Sequence, residues 1–111
     1  AYPSGSNIDK ELINLLYKPT KGLGAPEAFH GFINIFNDYL APDLMKQLDI
    51  PIDMICGQKD PWEPISEAKY WSSYIKCIRS LEIIPNSGHC PHDETPELVN
   101  PILLKLIQDA T

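Results

Sequence analysis

The apolar positions of this 111-residue chain change rhythm about halfway along. In the first half they recur at helical spacing. Ile8, Leu12, Ile13, Leu15 and Leu16 form one such stripe. Ser6-Asn7-Ile8-Asp9, just before it, has the spacing of a capping box with Asp in place of the usual Glu. Pro19 and Gly22 end that helix, and residues 18–24, rich in Lys, Gly and Pro, are expected to form a loop. Pro26 suits the first turn of a second helix, whose apolar face reads Phe29, Phe32, Ile33, Phe36 and Leu40. An ordinary packing stripe is the first reading of that face; aromatics lining a substrate pocket is the other. Pro42 opens a short third helix that runs to about Leu48.

From residue 51 the pattern is different. Pro51-Ile52-Asp53-Met54-Ile55-Cys56-Gly57 is a short apolar run closed by glycine, as in a buried strand. Residues 64–74 read as a helix, Ser80-Leu81-Glu82-Ile83-Ile84-Pro85 as a second strand, and residues 86–95 as a polar loop. Residues 96–109 return to helical spacing through Leu98, Val99, Ile102, Leu103, Leu106 and Ile107. Pro101 is expected to split that stretch into a turn and a longer helix, with Asn100 as a second N-cap. Strand, helix, strand, helix implies an α/β class with two parallel strands and a right-handed crossover. Such apolar strands expect neighbours on their edges and helices on both faces. The sheet is therefore expected to continue N-terminally, outside this chain. Ala1 stands where an initiator Met would, which truncation or processing would each explain.

Composition narrows the partners. A hydrophobic content of 43% supports a packed core rather than disorder. Nine scattered basic residues against fifteen acidic ones give a net charge of −6, a poor match for phosphates, so nucleic acid is excluded. No apolar run approaches the length of a membrane span, and residues 1–5 resemble neither a signal peptide nor a transit sequence. Cys56, Cys77 and Cys90 are odd in number and widely spaced, so a reducing compartment is expected rather than a disulfide framework. Cys56, inside the apolar run, is expected to be buried filler.

Chemistry concentrates in two loops. Open parallel sheets build their sites at the carboxyl ends of strands. Residues 57–64 and 86–94 each leave such an end. If the two strands lie side by side or one strand apart, both loops open on the same rim, because strands are about 4.8 Å apart. Asp60 from the first loop can then reach His89 from the second. A carboxylate in that position fixes the imidazole tautomer and stabilises the imidazolium that forms on proton transfer. Rival acids are Asp53, inside the strand and expected to cap, pair or face an edge, and Glu63, further along the loop. Asp60 alternatively serves only its Asp-Pro turn. His92 and Asp93 are expected to hold their loop or lie on the surface, and His30 to be an exposed or packing residue of the second helix. Ser87 and Cys90 sit too close to His89 in sequence to act as its nucleophile. His89, Cys90, His92 and Asp93 are too compressed for one tetrahedral metal site and lack a second ligand pair, so no metal and no cofactor are expected. Trp62 either walls a substrate-binding pocket or packs, and Pro61 and Pro64 stiffen the acid loop.

The wording of these loops is specific. Gly57-Gln58-Lys59-Asp60-Pro61-Trp62-Glu63-Pro64-Ile65 resembles the acid loop of α/β-hydrolases. Ile84-Pro85-Asn86-Ser87-Gly88-His89-Cys90-Pro91-His92-Asp93-Glu94-Thr95-Pro96-Glu97-Leu98-Val99-Asn100-Pro101 resembles their histidine loop and final helix. Acid first and histidine second is also their chain order. Asp-Pro-Trp-Glu-Pro and Gly-His-Cys-Pro-His-Asp-Glu are most similar to a pheophytinase-like branch of plants, algae and cyanobacteria. The resemblance implies the C-terminal portion of an α/β-hydrolase fold. Residues 1–48 would be the end of a helical cap and the return to the core, and residues 49–111 the last two parallel strands with their helices. It implies Asp60 as triad acid, His89 as general base, and hydrolysis of an apolar small-molecule ester by a serine elsewhere in the fold. A plastid is implied by the resemblance alone. These 111 residues contain no Gly-x-Ser-x-Gly elbow, so the chain by itself is expected to be inactive. Two alternatives stay open: a silent fragment or binding module, and a dehalogenase or epoxide hydrolase whose nucleophile is Asp.

Overall fold

In a computed structural model, residues 1–34 and 40–110 are described. They form two compact units, Ile8–Leu40 and a larger one built from Ala1–Asn7 with Ala41–Thr111.

The smaller unit holds helix α1, Lys10–Tyr17, and helix α2, Ala25–Ile33. Asp9 itself is the N-cap of α1, its carboxylate accepting from the Leu12 N–H at 2.8 Å. The capping box expected from Ser6 is therefore displaced by three residues: a single Asp already satisfies a free N–H of the first turn. Residues 18–24 are not all loop, since Lys18–Lys21 form a 3₁₀ turn. Helix α2 has Pro26 in its first turn and stops at Ile33, where the Asn34 side-chain amide donates to the His30 carbonyl at 2.7 Å. Of the expected apolar face of α2, Phe29, Phe32 and Ile33 lie on the helix and are exposed, Leu40 lies outside any helix, and Phe36 is outside the described residues. No described residue of α1 or α2 is buried.

The larger unit carries the sheet. After residues 1–7 it continues with helix α3, Ala41–Met45, shorter than the expected run to Leu48. Strand β1, Ile52–Gly57, pairs in parallel with β2, Ile78–Ile84, and helix α4, Ile65–Tyr74, connects them. Among the described residues the sheet has these two strands. The register shifts once, between Ile52 and Asp53, and leaves Arg79 as the extra residue opposite them. Arg79 uses that bulge to reach the Asp53 carboxylate, with Ser80 Oγ donating to the same group at 2.7 Å. Asp53 is thus a pairing residue near the start of β1, and its carboxyl is held below the usual range by Arg79 first and Ser80 second.

Two expectations for the last third are corrected. The loop after β2 contains a helical turn, α5, Pro91–Glu94. Helix α6, Pro96–Asp109, runs unbroken through Pro101. Pro101 removes one N–H, the partner of the Glu97 carbonyl, and Glu97 is exposed so that water can take its place. Packing of the helix against β2, with Val99 buried, outweighs that loss. Buried apolar side chains among the described residues include Ala68 of α4, Ile75 just after it, Ile84 at the end of β2 and Val99 of α6. No helix among the described residues is long and apolar enough to cross a membrane.

Candidate active site

Both chemistry-bearing loops leave the carboxyl ends of paired strands. Gly57 and Ile84 are register partners, so the loops start side by side. Backbone bonds then tie one to the other: the Gln58 N–H donates to the Ile84 carbonyl at 2.9 Å and the Lys59 N–H to the Ser87 carbonyl at 2.8 Å. Gly57 makes this approach possible. A Cβ there would sit 1.9 Å from the Gly88 carbonyl oxygen and 2.6 Å from that of Ser87. Asn86 turns the second loop with a positive φ of 59°, a conformation that asparagine tolerates better than most residues.

Across this junction Asp60 Oδ2 lies 2.8 Å from His89 Nδ1. The other carboxylate oxygen is occupied: Oδ1 accepts from the backbone N–H of Trp62 at 2.9 Å and of Glu63 at 3.1 Å. The turn role and the partner role that compete for Asp60 in the sequence are therefore both filled, one by each oxygen. The turn aims the residue at the histidine. Burial pushes the Asp60 carboxyl up, but the two backbone N–H groups and then His89 outweigh it and hold the group below the usual carboxylate range. The Asp60 side chain is 9% exposed and that of His89 40%. The histidine is thus the more exposed member of the pair.

Of the remaining named residues, Trp62, Glu63 and Cys56 fall around this pair. Trp62 meets the His89 ring edge-on, with centroids 4.7 Å apart. Glu63 lends Asp60 its N–H, and its side chain borders a cleft of about 290 Å³ together with Asp60, His89, Cys56, Trp71 and Pro91. Cys56 is half-buried and lines that cleft rather than filling a core. Burial, then Asp60 and Glu63, pushes its thiol up. Trp71 was not legible as a cleft residue, because its place in α4 looks like any helix position. Asp93 holds its loop, its carboxylate accepting from the Tyr2 hydroxyl and its carbonyl from the Asn7 amide. His92 and His30 are exposed.

Sequence reasoning missed two contributors to the histidine loop. The first is residues 1–7, which lie along it: the His89 N–H donates to the Ala1 carbonyl at 2.9 Å. The second is Glu94, 1% exposed and bonded to Gly88, Ser87 and Ser4. Nothing in the spacing of residues 1–7 signals their place. A Glu at the end of a Pro-led turn was a weak signal for Glu94.

No family model matches the chain. It is 40% identical over 55 residues to pheophytinase, chloroplastic, of Arabidopsis thaliana, covering 50% of this chain and 11% of that protein. It is 28% identical over 65 residues to a probable esterase of Oryza sativa subsp. japonica, covering 59% of this chain and 24% of that protein. The chain thus spans a quarter or less of these relatives. Its fold superposes on the crystal structure of a His-tagged serine hydrolase involved in carbazole degradation, the CarC enzyme. The TM-score is 0.80 at 21% identity, over 96% of this chain and 42% of that one.

Proposed function

From the premise that the chain belongs to the α/β-hydrolase superfamily, as the C-terminal part of that fold, we propose that it supplies the acid and the histidine of a serine hydrolase. The bond between Asp60 and His89 carries this reading. With Nδ1–H donated to Asp60, the neutral ring has its lone pair on Nε2. That nitrogen takes the proton of a serine outside these 111 residues as the serine attacks an ester carbonyl. His89 then protonates the leaving alcohol and activates water against the acyl-enzyme. Asp60 orients the ring throughout and stabilises the imidazolium. Its low-lying carboxyl suits this role, because an acid that stays ionised holds the ring in one tautomer.

Ester chemistry is favoured by the esterase and serine hydrolase among the similar proteins. The cleft beside the pair is bordered by Met54, Ile55, Ala68 and Trp71, which suits an apolar substrate. Residues 1–48 are read as the end of a helical cap and the return to the core, and a plastid is favoured by the chloroplastic relative. The test is a serine-directed fluorophosphonate probe on the protein that carries these residues together with its nucleophile. Labelling that depends on His89 is expected. Turnover of an ester without such labelling would overturn the serine mechanism, and an Asp nucleophile would be its replacement.

A further inference from the structure

Glu94 is a buried carboxylate that the proposed mechanism does not use. It closes the one-turn helix α5, and its own N–H bonds back to the Cys90 carbonyl at 2.8 Å. Its side chain points back across the histidine loop and is 1% exposed. Oε2 accepts from the Gly88 N–H at 2.6 Å and from Ser87 Oγ at 3.2 Å. Oε1 accepts from the Ser4 N–H at 2.8 Å and from the Ser4 hydroxyl. Ser87, fully buried, also accepts from Thr95 Oγ1 at 3.2 Å.

A carboxylate with four donors and almost no water is expensive to bury, so the donors are what keeps it there. Burial pushes its carboxyl up, and the Ser4 hydroxyl, the Gly88 N–H, the Ser4 N–H and Ser87 together bring it below the usual range. The backbone it grips is the residue immediately before His89, the same backbone whose carbonyls face Gly57 and Lys59 of the acid loop. A shift there moves the imidazole relative to Asp60, and catalytic geometry is sensitive to displacements of about 1 Å.

We infer that Glu94 is a positioning residue: by holding the Gly88 N–H it sets where His89 stands against Asp60. The inference rests on the proposed roles of Asp60 and His89. Glu94 touches no reacting atom and acts only through the loop backbone. Gln at this position keeps the shape but has one acceptor oxygen, so one of the two donor pairs meets an N–H₂ group.

The experiment uses the protein that carries the nucleophile, with rates per active site counted by stoichiometric probe labelling. Glu94→Gln is expected to lower kcat by about 10- to 100-fold with KM little changed. The acid limb of its kcat–pH profile is expected to move to lower pH, because a looser Asp60–His89 bond favours the imidazolium less. Ser87→Ala, which removes one of the four donors, is expected to do the same to a smaller extent. Wild-type kcat and an unmoved limb per active site in Glu94→Gln would overturn the inference, leaving Glu94 a purely structural group. His89→Ala separates the two levels. If it abolishes turnover while Glu94→Gln is silent, only the positioning role falls. If it leaves turnover intact, the roles of Asp60 and His89 fall and the inference goes with them.

Discussion

The two units of this chain treat their apolar residues differently. In the larger unit the loops that carry Asp60 and His89 grow from paired strands, and Ile84, the last residue of β2, is 1% exposed. In the unit Ile8–Leu40 the apolar stripes are equally regular, yet Leu16, Phe29 and Phe32 are more than half exposed. Periodicity locates an apolar face in both. Only where strand register adds a second constraint does it also locate a site.

The comparison breaks most sharply at Asp60. Asp60→Asn should lower kcat of the nucleophile-bearing protein by about 10⁴-fold, since the amide favours the wrong tautomer of His89; steady-state kinetics on an ester would show it. A loss below tenfold would mean that the loops meet without doing chemistry.

Ile84→Ala and Phe32→Ala compare the units directly. The first should cost about 2–5 kcal/mol in a denaturant titration, by cavity formation at a buried site. The second should stay within about 0.5 kcal/mol, as an exposed position does. A cost of about 2 kcal/mol or more for Phe32→Ala, the size of a buried-site loss, would mean that its helical face is covered in the protein and that the contrast disappears.

Gly57→Ala probes the seam between the loops. Its Cβ meets backbone oxygens, which cannot step aside as a side chain could. A loss of about 1–3 kcal/mol is expected from overpacking, with turnover falling further than stability does because the Gly88 backbone must move. Equal turnover per folded molecule would show that the seam is slack.

The acid dependence of stability sharpens the electrostatic side. Asp60 and Glu94 both titrate below their ordinary values in the fold. Their contribution is therefore fully present above the unfolded values, about 4, and is lost as pH falls through the lower folded ones. Urea midpoints measured from about pH 5 downward should fall, and less steeply in Glu94→Gln. The smallest effect is expected at Arg79→Ala. Its pair with Asp53 sits near the start of β1, away from the loops, so kcat/KM should change by less than about twofold.

Local signals made the elements and the central pair legible. Proline positions marked the starts of α2 and α3, the glycine-ended run marked β1, and an Asp and a His each after a strand marked the two loops. Where short-range rules failed, contacts from afar had overruled them. Pro101 should have broken α6 on propensity, and packing against β2 kept it whole. Glu94 falls in the stretch that reads as a polar loop. It became a buried acceptor because Gly88, Ser87 and Ser4 converge on it, and no spacing along the chain reports that convergence.

What the chain determined by itself is which residues are able to meet. An apolar run that alternates with helical stretches commits to a parallel sheet, and residues following its strands come out on one rim. What tertiary structure alone decided is how they meet. Register set Gly57 opposite Ile84, the tie between the loops brought Asp60 Oδ2 to 2.8 Å from His89 Nδ1, and the turn at Trp62 and Glu63 chose which oxygen faces the ring. Hydrogen-bond geometry depends on tenths of an ångström between segments about thirty residues apart. Sequence spacing constrains only neighbours, so distances of that kind are fixed by the packed chain as a whole.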